Sequence, residues 1–315
     1  MAIVRTPGTV LSSDGKTQLH TMKWTDDTVS PKAVLQISHG MCEYIERYDE
    51  FASWLAQRGY VVFGNDHLGH GHSVSSMNDL GYMAEKDGYK LLSKDLRIIT
   101  ELLHEEYPGL PLALLGHSMG SFIARYYASE YSDGVDAYIF EGTDGSNPQS
   151  FISLLVINTL SLFKGERFRS ELVKNISFMG YLSRIEDHPT GCEWVTSDPE
   201  KLDAYVHDPY CMYTFTLSGY RDMVKCLDII LRMSWAYKLN ENLPYLLVSG
   251  EEDPVGDFGR GVRHVYDMMK AAGCSNTTIK LYPGQRHELH NETNREIFFK
   301  DTLEWLNTTL GVYTE

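Results

Sequence analysis

Serine, histidine and a carboxylate can share the work of breaking an acyl bond if the chain brings one of each together. Gly116-His117-Ser118-Met119-Gly120 offers the serine. The two glycines remove side chains where a sharp turn presses a strand against the helix that follows it. Ser118 would then stand at a helix N-terminus, whose positive end favours developing negative charge. A plain glycine-rich turn with a helix-capping serine is the rival reading. A serine hydroxyl is a poor nucleophile without a base, and the base needs an acid to orient it. His287, in Tyr282-Pro-Gly-Gln-Arg-His287-Glu, and Asp253, in Ser249-Gly-Glu-Glu-Asp253-Pro, are the downstream candidates. Asp144, Glu251 and Glu252 compete as the acid, but Pro254 keeps Asp253 out of helical geometry. The backbone N–H groups of Met41, which follows His39-Gly40, and of Met119 are placed to bind an oxyanion.

Elements able to position these residues follow from the hydrophobic pattern. Strand candidates fall at 244–249 and 277–282, and the apolar runs at 33–38, 60–65, 111–116 and 137–141 are continuous rather than alternating. Such runs indicate strands covered on both faces, as in a parallel sheet. Helical spacing separates them, as in Tyr48, Phe51, Ala52 and Leu55, then Leu92, Leu96, Ile99 and Leu103. Later helices carry Val262, Val265 and Met269, then Ile297, Phe298, Leu303 and Leu306. Thr9-Val-Leu and Leu19–Trp24 flank Ser13-Asp14-Gly15 and read as an antiparallel hairpin at the sheet edge. Ser118, Asp253 and His287 all fall just after strands, so all three converge at one edge of an open sheet. Between 146 and 240 the strand rhythm stops and aromatic-rich helical patterns take over. The expected organisation is an α/β core built from 1–145 and 241–315, with 146–240 inserted as a helical cap.

Taken together, His39-Gly40-Met-Cys-Glu43-Tyr-Ile-Glu-Arg47-Tyr, Asn65-Asp-His-Leu-Gly-His-Gly-His-Ser73, the Ser118 segment and the Asp253 and His287 segments carry a family pattern. The chain resembles the monoacylglycerol lipase/lysophospholipase (serine aminopeptidase-like) group of α/β-hydrolases. That resemblance implies an α/β-hydrolase fold, a mostly parallel sheet with helices on both faces, a covering cap, hydrolysis of acyl esters and no cofactor. It also implies that Glu43 and Arg47 brace the active-site floor, with His39, Gly40, Gly116, His117 and Gly120 in support. Asp66, His67, His70 and His72 could suggest a metal, but the resemblance explains them as a tight glycine-rich loop, and no metal is expected. His290 reads as a helix-start residue beside the catalytic histidine.

A single-chain, lipid-like acyl ester is the expected substrate, and a small ester or an amide stays open. Amide cleavage by an aminopeptidase would need a cap carboxylate for the substrate amine, with Glu166, Glu171 and Glu193 as candidates. A ligand receptor without turnover would show a broken triad. Phe151–Phe163 is apolar nearly all round, which suits a helix buried against the core, a lid that lines the acyl site and touches a membrane, or a self-association surface. Trp194, Tyr205, Tyr210, Tyr213 and Phe215 read as cap core, while Asp208, Cys211 and Cys226 have no catalytic role.

The 315 residues are 43% hydrophobic and 23% charged, an ordinary globular composition. A net charge of −15 disfavours nucleic acid and anionic membrane surfaces, both of which require clustered Lys and Arg. Five scattered cysteines without C-x-x-C spacing, and an N-terminus lacking a signal-peptide stretch, lead to an expectation of free thiols and a cytoplasmic location.

Overall fold

A computed structural model describes residues 3–131, 133–145 and 150–312, with backbone alone at 150 and 151. Eight strands form one sheet in the order β1-β2-β4-β3-β5-β6-β7-β8. β1 (Ile3–Leu11) and β2 (Gln18–Asp26) make the antiparallel edge hairpin, and β2 pairs antiparallel with β4 (Tyr60–Asn65). Every other pairing is parallel, through β3 (Ala33–Ser38), β5 (Leu112–His117), β6 (Ala137–Glu141), β7 (Tyr245–Gly250) and β8 (Thr277–Tyr282). In β3, β4, β5, β6 and β7 every residue is buried, the condition that the continuous apolar runs predict.

Alternate residues of these strands feed two separate cores. Val34, Val61, Leu114 and Phe140 join one, against α2 (Gly88–Glu106), α3 (Met119–Glu130) and α9 (Arg260–Ala271). Leu35, Val62, Leu115 and Ile139 join the other, against α1 (Asp49–Ala56) and α10 (Arg295–Leu310). The α2 stripe Leu92, Leu96, Ile99 and Leu103 is wholly buried. Each such side chain contributes about 1.5–3 kcal/mol of transfer free energy. The chain is an α/β-hydrolase fold.

Among the described residues, five helices lie between β6 and β7: α4 (Ser150–Lys164), α5 (Glu171–Ser177), α6 (Pro199–His207), α7 (Leu217–Ile230) and α8 (Met233–Ala236). Residues 150–240 contain no strand, while 146–149 lie outside the described residues. The start of α6 shows the local logic. Pro199 opens the helix and the Asp198 carboxylate accepts the N–H groups of Glu200 and Lys201.

Three expectations need correction. β1 begins at Ile3 rather than Thr9, because an exposed edge strand has no burial pattern to reveal it, and Pro7 is tolerated there. Ile297 is exposed, and Phe299 takes the core position on α10. α4 is covered on one face only: Ile157 is buried and Leu154, Val156 and Leu160 pack against the core, whereas Ile152, Leu155, Leu162 and Phe163 are exposed.

Candidate active site

Ser118 follows β5 with φ 53° and ψ −123°, a left-handed backbone that a non-glycine residue adopts only under strain of about 1–3 kcal/mol. Its neighbours explain how the turn closes. A Cβ on Gly120 would lie 2.0 Å from the Ser38 carbonyl oxygen, and one on Gly116 would lie 2.5 Å from the Gly120 carbonyl oxygen. Either collision would force the turn open. The Ser118 N–H donates to the Glu141 carbonyl at 2.9 Å, which ties the turn to the end of β6. Its side chain does not cap α3, and this removes the reading of Ser118 as an N-cap.

Asp253 lies in the loop after β7 and is fully buried. Its Oδ1 accepts the Val255 N–H at 2.9 Å and stands 3.0 Å from His287 Nδ1. Its Oδ2 accepts the Ser249 hydroxyl at 3.1 Å. Of the competing acids, Asp144 reaches the same cavity, but it is Asp253 that pairs with His287. Ser118, His287, Met41 and Met119 all line one cavity of about 620 Å³. Ser118 and His287 share this cavity without a hydrogen bond between them. A Cβ on Gly40 would sit 3.0 Å from Ser118 Cβ, so the absence of a side chain there lets the Met41 loop lie against the serine.

A buried polar cluster adjoins the serine turn. Glu43 accepts from the Gly40 N–H, from Tyr48 Oη at 3.0 Å and from Arg47 at 3.1 Å, and stands 2.9 Å from His117 Nδ1. Arg47 also forms a two-pronged pair with Glu288 at 2.6 and 2.7 Å. Burial works against charge here. It would lower His117, yet Glu43 outweighs it and raises the imidazole to about 9. Burial would likewise raise Glu43, but His117 and Arg47 hold it well below its ordinary range. His39 Nε2 accepts the His67 N–H at 2.9 Å, which fixes the first loop to the glycine-rich one.

Other residues in this region escaped the sequence reading. Glu288 and Glu141 show no local motif, since their partners Arg47 and His290 are distant in the chain, while Tyr48 and Ser249 bond near neighbours, Glu43 and Asp253, through residue types that mark no site by themselves. His290 is no helix-start residue: it sits in a short 3₁₀ turn, buried, 2.9 Å from Glu141 and stacked on Tyr48. Trp194 places its ring 5.2 Å from that of His287, and its carbonyl accepts the His287 N–H at 3.4 Å. The Val195 carbonyl accepts the Glu288 N–H at 2.8 Å, and Arg286 reaches the Glu193 carbonyl at 2.6 Å. Residues 193–195 therefore strap the His287 loop in place.

Of the aromatic residues assigned to the inserted helices, Trp194, Tyr205 and Tyr213 line the cavity, whereas Tyr210 and Phe215 do not. Cys211 also lines it, Asp208 accepts the Tyr44 hydroxyl, and all five cysteines are free thiols. None of the three carboxylates considered for an amine reaches the cavity. Glu166 pairs with Arg221, Glu171 with Lys174, and Glu193 accepts from Thr190.

An α/β-hydrolase sheet that carries a serine turn and a paired Asp–His at its strand ends defines a class of hydrolases. The family described as "Serine aminopeptidase, S33" matches residues 29–294, and the chain belongs to that family. A monoglyceride lipase homolog of Monkeypox virus is 28% identical over 284 residues, covering 88% of this chain and 90% of that protein. Human monoglyceride lipase is 28% identical over 269 residues, covering 84% and 78%. A crystallised carboxyl esterase from Bacillus coagulans superposes with a TM-score of 0.88 at 29% identity, covering 98% and 99% of the two chains. The chain is a serine ester hydrolase of the monoglyceride lipase group.

Proposed function

We propose that this hydrolase cleaves single-chain acyl esters of the monoacylglycerol or lysophospholipid kind through an acyl-enzyme on Ser118. The observation that carries the reading is the buried Asp253–His287 pair at 3.0 Å, opening on the same cavity as the strained Ser118 turn. Asp253 holds the imidazole so that Nε2 faces the cavity, and stabilises the imidazolium once it forms. As substrate docks, His287 moves into hydrogen-bond reach of Ser118, a tightening common in hydrolases. Ser118 Oγ attacks the carbonyl while its proton passes to His287, and the N–H groups of Met41 and Met119 bind the oxyanion. The alcohol leaves with that proton. Water then repeats the sequence on the acyl-enzyme.

Residues 146–240 act as the cap over a core formed by 1–145 and 241–315. Met41, Phe122, Leu182, Val224 and Leu227 give the cavity an apolar lining suited to an acyl chain. The similarity to proteins named monoglyceride lipase supports the same substrate class. The exposed apolar residues of α4 rest transiently on the lipid that presents the substrate. Attraction to anionic lipid has little part in this contact. Arg167 is paired with Asp79, and Arg169 is spent on the carbonyls of Asn78, Leu80 and Thr214.

Fluorophosphonate labelling lost in Ser118→Ala, with ester turnover down by at least about 10⁴-fold, is the expected result. Each buried CH₂ is worth about 0.8 kcal/mol, so kcat/KM should climb roughly fourfold per CH₂ until the cavity is filled. A preference for acetate esters would sink the lipid reading, and faster cleavage of aminoacyl anilides would sink the ester reading.

A further inference from the structure

Two groups among the described residues bring three or more His, Cys, Asp or Glu ligand atoms within 4.8 Å of one another. One, His117 with Glu141 and His290, is buried beside the serine turn and belongs to the polar cluster already described. The other lies outside the cavity lining and combines His20 of β2, Glu46 of the short turn before α1, and Asp66 and His72 of the glycine-rich loop.

His20 Nε2 stands 2.7 Å from Glu46 Oε1. His72 Nδ1 stands 3.8 Å from the same oxygen and 3.4 Å from Asp66 Oδ2. In a tetrahedral site with bonds of about 2.0–2.1 Å, neighbouring ligand atoms lie roughly 3.3 Å apart. The separations of 2.7, 3.4 and 3.8 Å bracket that spacing, and all four ligand atoms lie within 4.8 Å of one another. The donor set also balances charge, since two neutral imidazoles and two carboxylates neutralise a divalent ion. Mixed nitrogen and oxygen donors favour zinc and its first-row neighbours over magnesium or calcium.

The scaffold holds these ligands from behind. Asp66 is fully buried, with Oδ1 accepting the Ile45 N–H at 2.8 Å and Oδ2 the His72 N–H at 2.7 Å. The His20 carbonyl accepts the Asp66 N–H at 2.8 Å, and the His20 N–H donates to Ser73 Oγ at 2.9 Å. Glu46 Oε2 is buried without a hydrogen-bond partner, leaving that carboxylate free to turn toward an ion. His72 is half exposed, which provides an entry path. The sequence expectation of no metal weighed Asp66, His67, His70 and His72 as one local set. The fold instead turns His67 to Ser38 and His70 to the Leu68 carbonyl, and supplies His20 and Glu46 in their place.

We propose that His20, Glu46, Asp66 and His72 bind a zinc-type divalent cation at the junction of β2, the turn before α1 and the glycine-rich loop. Binding breaks the His20–Glu46 hydrogen bond, the neutral His20 ring shifts its N–H from Nε2 to Nδ1 through solvent so that Nε2 can ligate, and the active-site cavity is left untouched. The test titrates the tag-free, full-length protein with Zn²⁺ against a chromophoric chelator. The expected result is one equivalent bound with a Kd of about 1 µM or tighter. His72→Gln should weaken binding at least about tenfold, and the His20→Gln/His72→Gln double variant should abolish it. Both variants should keep the zinc-free melting temperature and the ester turnover of the parent. Anomalous scattering at the zinc edge should place the ion among these four side chains. Weaker binding by the parent, unchanged binding by the double variant, or an ion located elsewhere would overturn the site.

Discussion

The polar cluster around Glu43 and the apolar helix α4 manage exposure in opposite ways. In the first, charged side chains are withdrawn from water and answer one another: Arg47 spans Glu43 and Glu288, and His117 faces Glu43. In the second, apolar side chains are left in water, with Leu162 at 84% and Phe163 at 82% exposure. Both choices cost stability. Buried ion pairs recover their desolvation penalty only through complete pairing. Exposed apolar residues recover nothing unless something covers them. The difference separates a region that must hold one geometry from a region whose contacts are made elsewhere. The cluster fixes Gly40 and His117, which flank Ser118, whereas α4 is held along one face only, by Leu154, Val156, Ile157 and Leu160 and by Arg221 bonded to Asn158 and Ser161.

Breaking the cluster should have the largest effect on stability. Glu43→Gln removes the nearest countercharge of His117 and one of the two partners of Arg47 in a buried site, an expected loss of about 3–5 kcal/mol in denaturant unfolding. The pH dependence sharpens the point. His117 is raised to about 9 from an ordinary 6.5, so its contribution is fully present below about 6.5 and is lost as pH rises through 9. Glu43 is depressed, so its contribution is present above its ordinary 4.5 and is lost as pH falls toward its lower folded value. The parent should therefore lose a few kcal/mol between pH 6.5 and 9, and Glu43→Gln should flatten that slope. A slope that persists unchanged in Glu43→Gln would show that it does not arise from the Glu43–His117 pair.

Ile157→Ala tests the tie of α4 to the rest of the chain. Removing a buried isoleucine side chain should cost about 2 kcal/mol or somewhat more, read as a lower denaturant midpoint. A loss as small as that of a surface substitution would show α4 unfolding independently of the core.

What the sequence revealed of these two regions differs for a physical reason. The central strands were legible because a doubly covered strand must be mostly apolar, and 33–38, 60–65 and 137–141 match the observed elements residue for residue; 277–282 also matches β8, although that strand is partly exposed. The three strand-end residues were legible because sheet topology carries loop residues to one edge. Glu288, Tyr48 and Glu141 were not, because a buried charge network is defined by partners in space and leaves no periodicity in the chain. α4 misled in the other direction. An all-round apolar helix looks the same whether neighbouring protein covers it or not, and hydropathy does not distinguish the two. The same blindness hid the His20, Glu46, Asp66 and His72 grouping, half of which lies far from the histidine-rich loop in sequence.

The smallest effect on stability should come from the exposed end of α4, and there the comparison turns on function. Leu162→Ser and Phe163→Ser change side chains that are more than four-fifths exposed, so unfolding free energy should move by less than about 0.5 kcal/mol. If lipid covers these residues during turnover, the double variant should lose several-fold in rate on monoacylglycerol presented in vesicles or micelles. Hydrolysis of a short, freely soluble ester should be unchanged, because neither side chain lines the cavity. Added salt should reproduce little of the loss, since Arg167 and Arg169 are engaged within the protein, leaving Lys164, over the Phe168 ring and with no ion pair among the described residues, as the remaining positive charge of 164–169. Equal losses on both substrates would place the defect in the active site and not in lipid contact. No loss on either would leave α4 an exposed helix with no lipid partner, and the contrast with the Glu43 cluster would reduce to one of packing.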